Sequence, residues 1–241
     1  MVNKSEKDCL GARLFARGPG RRRADEPAMP REDILRLAFS AFARQGYEGV
    51  SMRALAAECG LSNTMLHHHF GTKLELWFEA VDSVLAPLHA QLMAIFFSAQ
   101  PEASILEALR GTMTASLRLA GENGDALAFI FREGEGDNER AEYLRVRYVE
   151  PYVARCNSLM AEGKASGELA NVSEAAMHAI FTGTMRQLIM PGVLQRELAP
   201  HLGTNAARER LTEQIVDILV GCLVTPVAVT PAHSITETKI I

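Results

Sequence analysis

Residues 61–73 read LSNTMLHHHFGTK. Three consecutive histidines suggest a metal ion. The Ser-Asn-Thr before them suggests hydrogen bonding to a ligand with donor and acceptor edges. Spacing decides between the two. If the stretch is helical, successive side chains are turned by about 100°, so His67, His68 and His69 aim in three directions. Metal ligands on one helix need i, i+3 or i, i+4 spacing, as in HExxH, so the triplet predicts no metal site. The same wheel puts Leu66 and Phe70 on a buried side and His69 at the edge of that side. Thr64, His67 and His68 fall on a polar face beside Asn63.

The flanking residues predict a helix here and two more around it. Ser62 can cap the N-terminus, with Leu61 and Leu66 spaced as a hydrophobic staple, and Gly71 ends the segment. Before it, Ile34, Ala38 and Phe42 recur at helical spacing until Gly46. Ser51 can then cap a short helix carrying Leu55, Ala56 and Cys59 to Gly60. After it, Thr72-Lys73-Leu74-Glu75 has the pattern of a capping box. Three short helices, the last two joined by a tight glycine turn, make a helix-turn-helix unit.

Such a helix, with a small polar start (Ser62, Asn63, Thr64) and an imidazole face, fits the major groove of a DNA duplex. Asn pairs with adenine edges, Thr meets bases or a base methyl, and imidazoles donate to phosphates or bases. Ser51 and Arg53 on one side, and Lys73 with the amides at the start of the fourth helix on the other, are placed to grip phosphates. Exposed polar residues on any helical bundle would show the same pattern.

The chain has 241 residues, 48% of them hydrophobic and 22% charged, an ordinary globular composition. No stretch reaches the roughly 18 apolar residues of a membrane helix. Cys9, Cys59, Cys156 and Cys222 show no metal or disulfide spacing, which predicts reduced thiols in a cytoplasmic protein. Residues 1–30 carry seven Lys/Arg against four Asp/Glu, while residues 31–80 carry five against six. The first segment, with Arg21-Arg22-Arg23 and several prolines, reads as a disordered basic arm, either merely solvated or sampling a polyanion.

Beyond the helix-turn-helix the pattern stays helical. Leu74, Trp77, Val81, Leu85, Leu88 and Leu92 run down a long helix with Pro87 inside. Ile105, Leu109, Met113 and Leu117 mark another, and a short one covers Leu127 to Arg132. A long helix is predicted over 139–162, with Pro151 in its interior. Ser173 caps a helix to Met190, and residues 205–224 form the last. Residues 224–229 read as extended. The fold class is all-α.

Residues 31–76 resemble the N-terminal domain of the tetracycline-repressor (TetR) family. The resemblance rests on Ile34, Ala38 and Phe42, Gly46-Tyr47, Val50-Ser51-Met52-Arg53, Leu55-Ala56, Gly60-Leu61-Ser62, Leu66, His69-Phe70 and Lys73. It implies a homodimeric, ligand-responsive transcriptional regulator, usually a repressor, that binds a palindromic double-stranded DNA operator. An activator of the same fold, or a helical metal or ligand sensor that leaves DNA alone, are the alternatives. The DNA-facing set is Ser51, Arg53, Asn63, Thr64, Met65, His67, His68 and Lys73. The family usually has Tyr, a phosphate donor, where this chain has His67.

The domains are then an arm (1–30), a helix-turn-helix domain (31–76), a helical effector-binding and dimerisation domain (77–224) and a tail (225–241). Candidate residues for an apolar, adaptable effector cavity are Phe96, Phe97, Met113, Phe131, Tyr148, Tyr152, Met177, His178, Phe181 and Met185, with Arg132 and Gln187 as further polar groups. A hydrophobic or aromatic small molecule is the expected effector. The homodimer is expected through 173–190 and 205–224, using Ala176, Ala179, Ile180 and Gly183 on one helix and Leu211, Ile215, Ile218, Leu219 and Cys222 on the other. No nucleophile–base grouping, phosphate loop or paired carboxylate motif is present, so neither catalysis nor a cofactor is expected.

Overall fold

Several helices begin where a side chain takes over a hydrogen bond of the missing turn. In the computed structural model, which describes residues 29–98, 104–170, 172–190, 197 and 203–224 apart from the side chains of 96–98, helix α1 spans Arg31–Gly49. Glu32 and Asp33 lie in its positive first turn. Gly46, at φ 70° and ψ 166°, interrupts it and leaves Tyr47–Gly49 as a separate turn. Helix α2, Met52–Glu58, is capped by Ser51, whose side chain accepts from the Ala54 amide. It closes in a Schellman turn, with the Leu61 amide on the Ala56 carbonyl at 2.8 Å and the Gly60 amide on that of Ala57 at 3.1 Å. Gly60 supplies the positive φ that this turn needs.

Helix α3, Asn63–Phe70, starts on Ser62, whose hydroxyl accepts from the Met65 amide at 3.1 Å. It stops at Gly71. Helix α4, Lys73–Ser98, opens with the expected capping box. The Glu75 amide donates to Thr72 Oγ1 at 3.2 Å, and the Thr72 amide donates to Glu75 Oε2 at 2.7 Å.

The other helices are α5 (Ile105–Glu122), α6 (Gly124–Glu133), α7 (Glu139–Leu144), α8 (Glu150–Ser166), α9 (Glu174–Ile189) and α10 (Asn205–Val224). No strand occurs among the described residues. The single long helix predicted over 139–162 is α7 and α8 joined by a π turn at Arg145–Val149, in which the Glu150 amide reaches back to the Arg145 carbonyl. Pro151 cannot donate to the carbonyl four residues before it, and its ring crowds that carbonyl. The wider turn sits immediately ahead of it. Val224, predicted extended, is the last residue of α10; the rest of that segment, the basic arm and the tail lie outside the described residues.

Two cores hold the helices. The first packs Ile34, Ala38, Phe42, Leu55, Leu66 and Phe70 of α1–α3 onto Leu76, Trp77, Ala80, Val81 and Leu85 of α4, and continues to Phe129, Leu144 and Tyr148. Trp77 is fully buried, with its ring centroid 5.5 Å from Phe78, 5.9 Å from Phe129 and 6.2 Å from Tyr143. The expected boundary between residues 76 and 77 therefore falls inside α4, and one core runs across it. Emptying the Trp77 site would cost about 3–5 kcal/mol. The second core joins α5, α8, α9 and α10 through Leu109, Met113, Leu117, Met160, Met177, Phe181, Val216 and Leu219.

Candidate nucleic-acid interface and ligand cavity

α3 sorts its side chains as an amphipathic helix must. Leu66 and Phe70 are buried, Met65 is half-buried against the same core, and Asn63, Thr64, His67, His68 and His69 are exposed. His69, expected at the core edge, stands in solvent beside His68, their ring centroids 5.7 Å apart. Its place near the core is taken by Arg31, which donates to the His69 carbonyl at 3.1 Å and lies over the Phe70 ring. Met65, expected to face DNA, shares its side chain with the core, so only part of it reaches the polar face. Among the described residues no group of three His, Cys, Asp or Glu side chains could hold a metal.

His67 is held by a contact that spacing does not show. Its Nδ1 lies 2.8 Å from the Gly71 carbonyl oxygen. A carbonyl only accepts, so Nδ1 carries the hydrogen and Nε2 is the acceptor of the neutral ring. Ser51 and Arg53 are exposed on one side of α3. On the other side Lys73 is partly engaged within the chain: its Nζ lies 3.4 Å from the Glu48 carbonyl and 4.5 Å from the centre of the Tyr47 ring. The amides of Thr72 and Glu75, expected to be open to phosphate, are used by the capping box. The Thr72 amide, and after it the Thr72 hydroxyl, donate to Glu75 Oε2 and hold the Glu75 carboxyl below its ordinary range.

A second feature lies further along α4. A cavity of about 170 Å³ opens between α4, α5, α6, the π turn, α8 and α9. Its walls are apolar, with Leu88, Leu92, Ile130, Phe131, Phe181 and Met185, and its polar groups belong to His89, Ser116, Tyr148, Tyr152, His178 and Thr182. Among the described residues no Asp, Glu, Lys or Arg lines it. Of the expected cavity residues, Phe131, Tyr148, Tyr152, His178, Phe181 and Met185 form the wall. Met113 and Met177 do not; they are buried in the second core, where a thioether at helical spacing packs as any apolar side chain does. The side chains of Phe96 and Phe97 lie outside the described residues. Arg132 turns away, donating to the Ala43 carbonyl at 2.9 Å and so tying α6 to α1, and Gln187 is not part of the wall.

Burial sets the protonation of the cavity's groups. It pushes the His178 imidazole below its ordinary value, and His178 Nε2 lies 2.8 Å from Asn157 Oδ1. Burial first, and the Arg147 guanidinium second, do the same to His89. Burial raises Tyr152, whose hydroxyl lies 3.4 Å from Ser116 Oγ. Tyr148 is raised by burial and by its hydrogen bond to Asp82. Sequence reasoning missed His89, which falls inside the apolar stripe of α4 and carries no motif of its own.

Residues 34–80 match the family model described as bacterial regulatory proteins, tetR family. The N-terminal domain is similar to the domain that this model describes. The chain is 36% identical over 89 residues to the HTH-type transcriptional repressor AcnR of Corynebacterium efficiens. That stretch is 37% of this chain and 43% of AcnR, so the chain matches less than half the length of this relative. It shares its fold with KstR2 of Mycobacterium tuberculosis, a ketosteroid transcriptional regulator, at a TM-score of 0.61 and 20% identity over 85% of this chain and 100% of that one. It also shares it with AibR, solved in complex with isovaleryl coenzyme A and operator DNA, at a TM-score of 0.60 and 21% identity over 81% and 98% of the two chains.

Helix α9 presents Ala176, Ala179, Ile180 and Gly183 to solvent. The stripe expected on α10 is split. Leu219 is buried in the second core and Ile215 packs against it, while Ile218 and Cys222 are exposed. The difference follows from the tie between α10 and α5, where Arg118 donates twice to Glu209 and Arg110 pairs with Asp217, turning Leu219 inward. No described helix is long and apolar enough to cross a membrane.

Proposed function

We propose that this chain is a DNA-binding transcriptional repressor, working as a homodimer in the cytoplasm and released from a palindromic operator by a small, mostly apolar effector. The observation that carries the reading is the exposed face of α3, where Asn63, Thr64, His67 and His68 stand together between Arg53 and Lys73. A helix that buries Leu66 and Phe70 and offers amide, hydroxyl and imidazole groups outward has what base edges and phosphates require. The repressor role follows the naming of AcnR. The effector follows from the cavity, and the dimer from the apolar face of α9 and from Ile218 on α10.

Residues 31–80 carry five Lys/Arg against six Asp/Glu, so bulk positive charge is not what draws the domain to DNA. Affinity rests on placed cations, on two heads binding at once and on the seven Lys/Arg of residues 1–30. Selection from a random duplex pool with the full chain tests the reading. Recovered fragments should share an inverted repeat with half-sites about one helical turn apart, or a multiple of it. A pool in which no motif is enriched over the input overturns it.

A further inference from the structure

The cavity beside α4 contains one polar atom that the chain leaves unsatisfied. His89 lines the cavity, and its Nε2 is buried with no hydrogen-bond partner among the described residues. Its ring packs edge-on against Tyr148, centroids 5.7 Å apart. Of the other polar groups, the Tyr148 hydroxyl donates to Asp82, His178 is held by Asn157, and the Ser116 and Tyr152 hydroxyls meet each other, while Thr182 is exposed. A ligand that fills the apolar walls thus meets one buried unmatched group, a neutral imidazole nitrogen.

Charge and size narrow the class. With no Asp, Glu, Lys or Arg in the wall, a charged ligand would lose its water and gain no counter-charge. The cavity is about 170 Å³, and an apolar cavity of roughly 150 Å³ is enough to hold benzene. Isovaleryl coenzyme A, bound in AibR, is too large and too highly charged for such a space.

Building on the effector-regulated reading above, we propose that this cavity binds an uncharged single-ring compound with one hydroxyl or carbonyl group, of the phenol or cyclic-ketone class. The oxygen meets His89 and the ring lies against Leu88, Phe131, Phe181 and Met185. His89 is then a specificity-determining residue: it selects a polar ring compound over the parent hydrocarbon.

Isothermal titration calorimetry of the full chain with p-cresol, toluene and p-toluate tests this. The expected result is that p-cresol binds about tenfold tighter than toluene and at least about a hundredfold tighter than p-toluate. In His89→Leu the two neutral ligands should come within about twofold of each other, while toluene keeps its affinity. In His89→Gln, which retains a polar head, p-cresol keeps part of its advantage. The proposal is overturned if p-toluate binds as tightly as p-cresol, if neither neutral compound binds, or if His89→Leu keeps the full preference. DNA binding is measured separately, by mobility shift on the selected site without ligand. A chain that binds its site but neither neutral compound overturns the ligand class alone. A chain that binds p-cresol but no DNA overturns the regulator reading alone.

Discussion

The Tyr148 hydroxyl donates to Asp82 Oδ1 at 2.5 Å, joining residues 66 positions apart in the chain. The same carboxylate accepts from the Tyr143 hydroxyl at 2.8 Å and from Arg147 Nε at 3.0 Å, and Arg147 Nη2 lies 2.8 Å from its other oxygen. Tyr148 is in the cavity wall, and Asp82 is on α4, whose first turns share a core with α1–α3. One carboxylate thus links the π turn, which the cavity touches, to the helix that carries the proposed DNA-binding head. A ligand pressing on Tyr148 shifts α4 if the network moves as a unit, and then changes the spacing of the two heads.

Asp82→Asn tests that link. The amide keeps the volume but loses the charge that Arg147 pairs with and cannot accept from three donors at both oxygens. Asp82 is 29% exposed, so the loss is only partly screened, and stability should fall by about 1–2 kcal/mol. Tyr143, pushed up to about 12 mainly by burial and then by Asp82, should move back toward its ordinary value. Urea unfolding gives the first quantity and tyrosinate absorbance the second. Operator release by a bound ligand should weaken in the variant while ligand affinity holds. Unimpaired release would show that the signal takes another route.

Stability should also fall in mild acid, through the buried histidines. His89 and His178 are held below the ordinary value of 6.5 by burial. The unfolded chain then binds more protons, so the contribution is present above 6.5 and is lost as pH falls through the folded-state values. Urea midpoints between about pH 7.5 and pH 5 should decline, and His89→Leu should flatten the decline. A slope unchanged in that variant would place the acid sensitivity elsewhere.

At the proposed DNA face, His67 has a tautomer set by Gly71. With Nδ1 donating to that carbonyl, Nε2 of the neutral ring is an acceptor and has no proton to give a phosphate. His67→Tyr, whose hydroxyl donates, should therefore bind the selected site more tightly than the parent chain. Arg53→Ala should weaken all sequences alike and lower the salt slope by about one unit. Fluorescence anisotropy on matched duplexes measures both; a His67→Tyr chain that binds no more tightly than the parent would refute the tautomer argument.

Local chemistry made most of the fold legible. Ser51, Ser62, Thr72 and Ser173 start helices, and Gly46, Gly60 and Gly71 stop or interrupt them, because caps and positive φ values depend on residues within a few positions. Where two segments compete for the same surface, the sequence is silent. Met113 and Phe181 share a helical apolar stripe pattern, but only the packing of α5 against α8, α9 and α10 decides that one is core alone and the other also faces the cavity. His69 was misplaced for the same reason, since Arg31, 38 residues earlier, covers Phe70 instead. The π turn is a local answer to Pro151 whose register periodicity does not encode, and the unmatched His89 nitrogen depends on contacts between α4 and residues some sixty positions later.

The proposed dimer face makes the last test. Ile218 is 68% exposed and Ile180 is 52% exposed, and neither belongs to the two buried cores. A single exposed isoleucine is unremarkable, but Ile180 is on α9 with Ala176, Ala179 and Gly183, residues small enough for a second helix to approach closely. In a two-fold interface each substitution is introduced twice. Ile218→Glu with Ile180→Glu would bury four carboxylates without partners, which no interface of ordinary size tolerates. Sedimentation should show a monomer, and circular dichroism should stay as in the parent, because neither side chain holds the protomer's own core. Affinity for the full inverted repeat should drop by about a hundredfold, toward that for a half-site, as the second head's effective concentration is lost. A doubly substituted chain that still sediments as a dimer would move the interface off α9 and α10.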